Sequence, residues 1–323
     1  MRAFSSDSAG GSPADIFATH RAQPYAVLAR AAAEQLPVDF SGVLAVLATV
    51  RAAAFDGRAC DPWVASLEQF RDDLAQLAGE ISAARAAKVV QFTEPLRMAD
   101  LLPGILTIAS RYPGRPVHLV ELGACAGLLL APEAYRIDYP HGVWNPDGRA
   151  ALTSDLDVPP DLLAGELLIA DRLGLDLAPV DSRDPRAFDY LRTFTWAGDP
   201  TREPRLQSAL AAVAHDPPPV ICADVVEVLP EVLAERVTRD VLTIVLESGL
   251  SNYLPGREAR QIGQMLDVAA SRGPLALISR SAQPVAVAGL PTTVSVLDLS
   301  ARWLRIYAAA DLLSERTRWL SAS

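Results

Sequence analysis

Hydrophobic positions fall into two regimes along this chain. Before about residue 95 they recur at helical spacing inside Ala- and Leu-rich stretches: Ala14 to Glu34, Ser41 to Ala54, Pro62 to Ala78 and, more weakly, Ile81 to Val90. Ala is the strongest helix former, so this spacing predicts a helical block. Pro37 stops the first helix, since proline offers no backbone N–H. From residue 117 onward, short apolar runs alternate with helical stretches. Val117 to Leu122, Pro219 to Asp224, Val241 to Ser248 and Leu275 to Ser279 read as buried strands. Tyr135 to Tyr139 and Leu152 to Leu156 read as shorter ones. Leu101 to Arg111, Phe188 to Trp196, Arg205 to His215, Val228 to Val237 and Gly256 to Arg272 read as helices. Leu175 to Asp181 reads as extended or looped, and Thr293 to Leu299 with Trp303 to Ala308 as a final antiparallel pair. Strands that are apolar on both faces and separated by helices predict an α/β fold with a mostly parallel sheet covered on both sides.

Composition narrows this picture. With 323 residues, half of them hydrophobic and 21% charged, the chain can bury a sizeable core and is not disordered as a whole. The net charge of −10 and the lack of a basic face argue against a nucleic-acid partner. All but one of the 29 basic residues are Arg, the exception being Lys88; a GC-rich genome explains that bias as well as function does. Cys60, Cys125 and Cys222 are isolated, as are the four His, so neither a metal site nor a disulfide framework is expected. No apolar run reaches the ~18–20 residues that span a bilayer. The N-terminus lacks the apolar core of a secretory signal. A cytoplasmic protein without membrane contact is expected.

The candidate chemistry centres on Val117 to Gly127. A buried strand ends at Glu121 and runs into the small-residue turn Gly123-Ala124-Cys125-Ala126-Gly127, after which Leu128 to Leu130 is expected to open a helix. A strand, glycine turn and helix N-terminus together make a nucleotide- or anion-binding corner. A plain strand-to-helix turn needs small residues as well. Asp138, near the end of the next expected strand, stands where an acid can bind a ribose; a solvated loop acid accounts for it equally well. Cys125 has no activating neighbour in sequence and reads as a buried filler more readily than as a nucleophile.

Further polar groups follow. Arg172, Asp176 and Asp181 share a Gly- and Pro-containing stretch. Arg172 can clamp an anion through paired N–H donors, and the two acids can hold an amine or take its proton; a surface loop with Asx turns is the plainer account. Arg202 and Arg205 follow Trp196 in a second polar loop. Glu247, Ser248 and Tyr253 follow the strong strand, where open α/β sheets place their ligands.

The spacing Glu121-x-Gly123-x-x-x-Gly127 resembles the first motif of class I S-adenosylmethionine (SAM) methyltransferases, except that Cys125 replaces the usual middle glycine. Taken in order, Arg97 with Leu101 to Gly104, Glu121 to Leu128, Tyr135 to Tyr139, Arg172 to Asp181, Trp196 with Arg202 and Arg205, and Ser248 with Tyr253 resemble an actinobacterial domain-of-unknown-function family with a methyltransferase-like Rossmann core. The Ser/Gly-rich residues 1–13 are expected to form a flexible tail and the helical pattern over 14–95 an N-terminal helical domain, while the resemblance, which runs from about residue 14 to about 280, implies a methyltransferase-like Rossmann domain within 96–323. Glu247 departs from the family's His, and Arg280 from its acid. The resemblance further points to a branch linked to aziridine biosynthesis in secondary metabolism, where an amine expels sulfate from an amino sulfate ester, sometimes with a partner subunit.

These readings converge on in-line displacement at carbon. Alignment of nucleophile and leaving group supplies roughly 7–11 kcal/mol of barrier reduction. A carboxylate must take the amine proton, and guanidinium groups must receive the departing sulfate. Asp176, Asp181 and Glu247 are the catalytic candidates. Arg97, Arg172, Arg202, Arg205, Ser248 and Tyr253 are the substrate- and anion-binding candidates. Glu121, Gly123, Cys125, Gly127 and Asp138 line the cofactor-like corner. The expected ligand is a small anionic or zwitterionic metabolite, with no cofactor and no metal. The alternatives are a SAM-dependent methyltransferase and a non-catalytic subunit of a second protein.

Overall fold

The structure, a computed structural model, describes residues 40–87, 89–195, 200–287, 290–310 and 317–320. The expected tail 1–13, the helix over Ala14 to Glu34, and Trp196 lie outside the described residues. In chain order the elements begin with helices α1 (Phe40–Phe55), α2 (Leu67–Gln76), α3 (Ala78–Ala87) and α4 (Arg97–Arg111), then strand β1 (Val117–Leu122). Two 3-10 turns, Leu128–Leu130 and Pro132–Ala134, lead to β2 (Tyr135–Tyr139), β3 (Gly142–Trp144) and β4 (Ala150–Thr153). Next come α5 (Pro160–Leu163), β5 (Ile169–Asp176), α6 (Ala187–Arg192), α7 (Arg202–Val213), β6 (Val220–Cys222), α8 (Val225–Arg236) and β7 (Leu242–Ser248). A 3-10 turn at Leu250–Asn252 precedes α9 (Gly256–Ala269). The chain continues through β8 (Leu275–Val287), β9 (Leu290–Asp298), β10 (Trp303–Ala310) and β11 (Thr317–Trp319).

The chain divides into two compact units. One is helical: it contains α1 to α3 and takes in Pro185–Leu206. Its α1 is apolar all round, so Val43, Val46, Leu47 and Val50 are all buried. Arg51 on that helix donates to the carbonyl of Arg192 at 2.6 Å and also reaches the Thr195 carbonyl and Glu203. Ser66 caps α2 by accepting from the Gln69 N–H at 3.1 Å, which satisfies one of the helix's otherwise open donors.

The other unit, Glu94–Asp184 with Gln207–Ser323, holds the sheet. Its eight strands lie in the order β11-β10-β9-β8-β7-β1-β5-β6. From β8 to β6 neighbouring strands pair in parallel, and β9, β10 and β11 extend the sheet as an antiparallel meander. Helices flank this sheet, which is Rossmann-like. Val120, Leu122, Leu173, Leu175, Val245 and Leu277 pack under Leu229 and Leu233 of α8 and Ile262 and Leu266 of α9. The α9 pattern is strongly amphipathic, as expected of a helix with one face on a sheet.

Several expectations need correcting. No α-helix follows the glycine turn; the chain makes two three-residue 3-10 turns instead, because Pro132 arrives before a helix can establish itself. Tyr135–Tyr139 does not join the main sheet. It sits between β3 and β4 in a separate three-stranded sheet. The strand beside β1 is β5, which begins before the stretch Leu175 to Asp181 that is expected to be extended or looped and ends inside it. Only its last four residues, Leu173 to Asp176, are buried, so its polar first half hides the pattern. Val220–Cys222 forms an edge strand that is partly exposed, not a buried one.

Candidate functional site

The sheet order reverses between β1 and β7. The chain leaves β1 for β5 and β6 on one side, then returns to β7 on the other. Open parallel sheets bind ligands in the crevice beyond the strand C-termini at such a reversal. The side chains that β1 and β7 bring to this end are Glu121, at the penultimate position of β1, and Ser248, at the last position of β7.

Alternation along each strand assigns these groups to the face opposite α8 and α9. Glu121, Ser248, Asp176 and Arg280 fall out of phase with the apolar set packed on those helices. Helix α4 contributes to the same cluster. Its Arg97 donates to the Ser248 carbonyl at 3.0 Å. Its Asp100 accepts from Arg280 Nε at 3.0 Å, in an ion pair that is 0% and 3% exposed at the two side chains. Tyr307 of β10, in the antiparallel part of the same sheet, donates to the Asp100 carbonyl at 2.7 Å and fastens the helix.

Glu121 is 3% exposed. Its Oε2 and the Oγ of Ser248 are buried without a hydrogen-bond partner among the described residues. An unmet buried polar atom costs stability; Glu121 and Ser248 place two of them at the reversal point, while Ser182 Oγ and Arg236 Nε are others elsewhere. Burial, reinforced by the neighbouring Asp176 charge, pushes the Glu121 carboxyl well above the usual carboxylate range; Arg97 pulls the other way. Burial lowers the Arg97 guanidinium to about 10, with Arg280 adding to the fall, so it remains charged at neutral pH. Tyr253, on the loop after β7, is pushed up to about 12 by burial and stays neutral.

The glycine turn itself is occupied. Gly123, Cys125 and Gly127 all have positive φ, at 77°, 52° and 70°. The N–H groups of Gly123 and Ala124 both donate to the Leu175 carbonyl, at 2.8 and 3.1 Å. The Cys125 N–H donates to Asp176 Oδ2 at 2.7 Å. Leu250 sits over Gly123, 3.4 Å from where a Cβ would stand, and Pro218 lies 2.8 Å from the corresponding point at Gly127. The turn is therefore stitched to the end of β5 and covered by side chains. Burial and the Asp176 and Glu121 charges push the Cys125 thiol up, which keeps it an unreactive thiol.

The remaining candidates take varied places. Asp176 ends the strand beside β1, the position expected of Asp138, and its Oδ1 accepts from the Ala178 N–H at 2.9 Å. Asp138 is corrected: it lies in the small sheet, partly exposed and paired with Arg136 at 2.8 Å. Arg172 lies four residues before the end of β5 and pairs with Glu133 at 2.6 Å. Asp181 is exposed in an Asx turn, held below the usual carboxylate range by Arg183. Glu247 is buried on the opposite face from Glu121, accepting from the Ser251 N–H at 2.9 Å and the Ser279 hydroxyl at 2.8 Å. Arg202 and Arg205 belong to the helical unit, where Arg205 reaches Thr201 Oγ1 at 3.2 Å.

Sequence reasoning did not single out Asp100. It lies three residues from Arg97, one helical turn away, which is the available signal. Among the described residues no group of acids, His and Cys is arranged to hold a metal ion, and no helix is long and apolar enough to cross a membrane. An apolar groove lined by Leu233, Met265 and Val268 lies at the C-terminal ends of α8 and α9, at the far end of the sheet from Glu121.

Over residues 19–305 the sequence matches the family described as "Uncharacterized protein conserved in bacteria (DUF2332)". No curated protein matches it.

Proposed function

The chain belongs to the bacterial DUF2332 family, and on that premise we propose that it is a small-metabolite enzyme whose substrate occupies the β1/β7 crevice. The observation that carries this reading is the pair of buried, unpartnered oxygens, Glu121 Oε2 and Ser248 Oγ, beside the Arg97 guanidinium. A carboxyl with raised affinity for protons suits an amine that must shed one. A buried guanidinium that stays charged suits an anion. The ligand class is therefore a small zwitterion carrying an amine and an anionic group.

The reaction proposed is in-line displacement. The amine nitrogen bonds to the neighbouring carbon while that carbon's bond to a sulfate ester oxygen breaks. The zwitterion first gives up its ammonium proton to solvent; the neutral amine then yields an aziridine, free sulfate and one further proton, which passes to a carboxylate. No cofactor enters this scheme. The resemblance to aziridine-forming proteins supplies the reaction class, and the charge arrangement at the crevice supports it. The simplest probe is 2-aminoethyl hydrogen sulfate. Purified protein is expected to bind it by calorimetry and to release sulfate from it, with affinity about tenfold or more weaker and sulfate release lost in Glu121→Gln. Affinity and release left unchanged by this substitution would remove the crevice from the scheme.

A SAM-dependent methyltransferase is the second reading. It is favoured by Asp176, which ends the strand next to β1 just where a ribose-binding acid is expected. Against it, both Asp176 oxygens accept backbone N–H groups, and Leu250 covers Gly123. Calorimetry with SAM separates the two readings. Silence toward both ligands, with tight association to a second protein, would identify a non-catalytic subunit.

A further inference from the structure

Cys125 holds a backbone conformation that glycine adopts freely and other residues adopt at a cost. Its φ is 52°, in the left-handed region, where a Cβ crowds the following carbonyl. The positions on either side of it in this turn with positive φ, Gly123 and Gly127, are both glycine. What holds the cysteine there is visible. The Asp176 Oδ2 accepts its N–H at 2.7 Å, and the Cys125 carbonyl accepts from the Val180 N–H at 3.1 Å. The other Asp176 oxygen accepts from the Ala178 N–H at 2.9 Å, which fixes the chain just beyond β5. One carboxylate thus ties the turn after β1 to the segment after β5. Glu121 lies two residues before the turn begins, and Asp176 is one of the charges acting on it.

We infer that Asp176 is a positioning residue which replaces the missing glycine: it pins Cys125 in the left-handed conformation, and the pinned turn aims Glu121 into the crevice. Asp176 is then not the group that takes the substrate's proton, although it stands at the strand end where sequence reasoning would place such a group. The inference rests on the reading of the β1/β7 crevice as the ligand site for its functional consequence, but not for its structural one. Its logic is a trade. A carboxylate anchor is required while residue 125 carries a side chain, and becomes dispensable when residue 125 is glycine.

The test is a double-mutant cycle on the full chain: wild type, Asp176→Ala, Cys125→Gly and the double variant. Two quantities are read for each, the melting temperature and the affinity for 2-aminoethyl hydrogen sulfate. Asp176→Ala is expected to lower the melting temperature and to weaken probe binding about tenfold or more, since small misplacements at a site are expensive. Adding Cys125→Gly to Asp176→Ala is expected to recover most of both losses, because a glycine needs no anchor to reach this φ. The two substitutions are therefore non-additive. Losses that simply add, or probe binding that stays lost in the double variant, would overturn the inference and return Asp176 to direct contact with the ligand. If the wild type ignores the probe, the reading of the crevice fails, while the melting temperatures alone still decide whether Asp176 and Cys125 are coupled.

Discussion

The two faces of the parallel sheet near β1 are built on opposite principles. Under α8 and α9 the strands present Val120, Leu122, Val245 and Leu277, and the helices answer with Leu229, Leu233, Ile262 and Leu266. On the other face, at the strand ends, the same strands present Glu121, Ser248 and Arg280, and α4 answers with Arg97 and Asp100. The first face gains stability through removal of apolar surface from water. The second spends stability on buried charge and, among the described residues, leaves Glu121 Oε2 and Ser248 Oγ without a hydrogen-bond partner. A single sheet thus divides its faces: one is closed by apolar packing, and the other gathers buried polar and charged groups at the reversal of strand order.

This contrast is breakable by substitution. The largest expected effect lies on the charged face. Asp100→Ala removes the carboxylate paired with the buried Arg280 guanidinium and is expected to cost about 3–5 kcal/mol, measured by denaturant unfolding. A cost under about 1 kcal/mol would place that pair in water, as surface ion pairs are. Next comes the apolar face, where Ile262→Ala is expected to cost about 2–5 kcal/mol through cavity formation while probe affinity stays unchanged. Lost affinity there would show that the two faces are not separate.

Glu121→Gln is expected to change stability little and with a defined pH dependence. The folded carboxyl holds its proton well above its ordinary value of 4.5, so over the pH range above that value the folded state binds more protons than the unfolded one. Wild-type stability attributable to this group is full below 4.5 and is lost as the pH rises through the raised value. The melting temperature of Glu121→Gln relative to wild type should therefore climb with pH over that range. A constant difference would mean that the carboxyl is ordinary and solvated. The smallest effect is expected at Arg172, whose partner Glu133 is 47% exposed. Arg172→Ala should cost no more than about 1 kcal/mol and leave probe affinity intact.

Sequence and structure agree where burial is uniform. Val117 to Leu122 and Val241 to Ser248 are apolar on both faces, and both are strands of nearly the expected length. The amphipathic run from Gly256 is a helix for the same reason. Agreement fails where burial is partial. Ile169 to Arg172 are all partly or fully exposed, so no alternation announces β5, and without β5 the ribose-type acid reads as Asp138, at the end of the next expected strand, and not as Asp176. Glu121, Ser248 and Tyr253 are expected at strand-end and loop positions, where open sheets place ligands, and Arg97 is expected from the family resemblance; the structure brings Glu121, Ser248 and Arg97 together at one end of the sheet. Asp100 was not legible, because a polar residue in a helix ordinarily faces water, and only the packing of α4 shows that this one does not. The occupied glycine turn was invisible too: it depends on Leu250 and Pro218, more than ninety residues away from Gly123 and Gly127 in sequence.

The most direct test of the crevice is a calorimetric titration of 2-aminoethyl hydrogen sulfate into wild type, Glu121→Gln and Arg172→Ala. Binding to wild type and Arg172→Ala, with affinity reduced about tenfold or more in Glu121→Gln, is the predicted outcome. Equal affinity in wild type and Glu121→Gln, or a loss confined to Arg172→Ala, would contradict it and move the ligand away from the β1/β7 reversal.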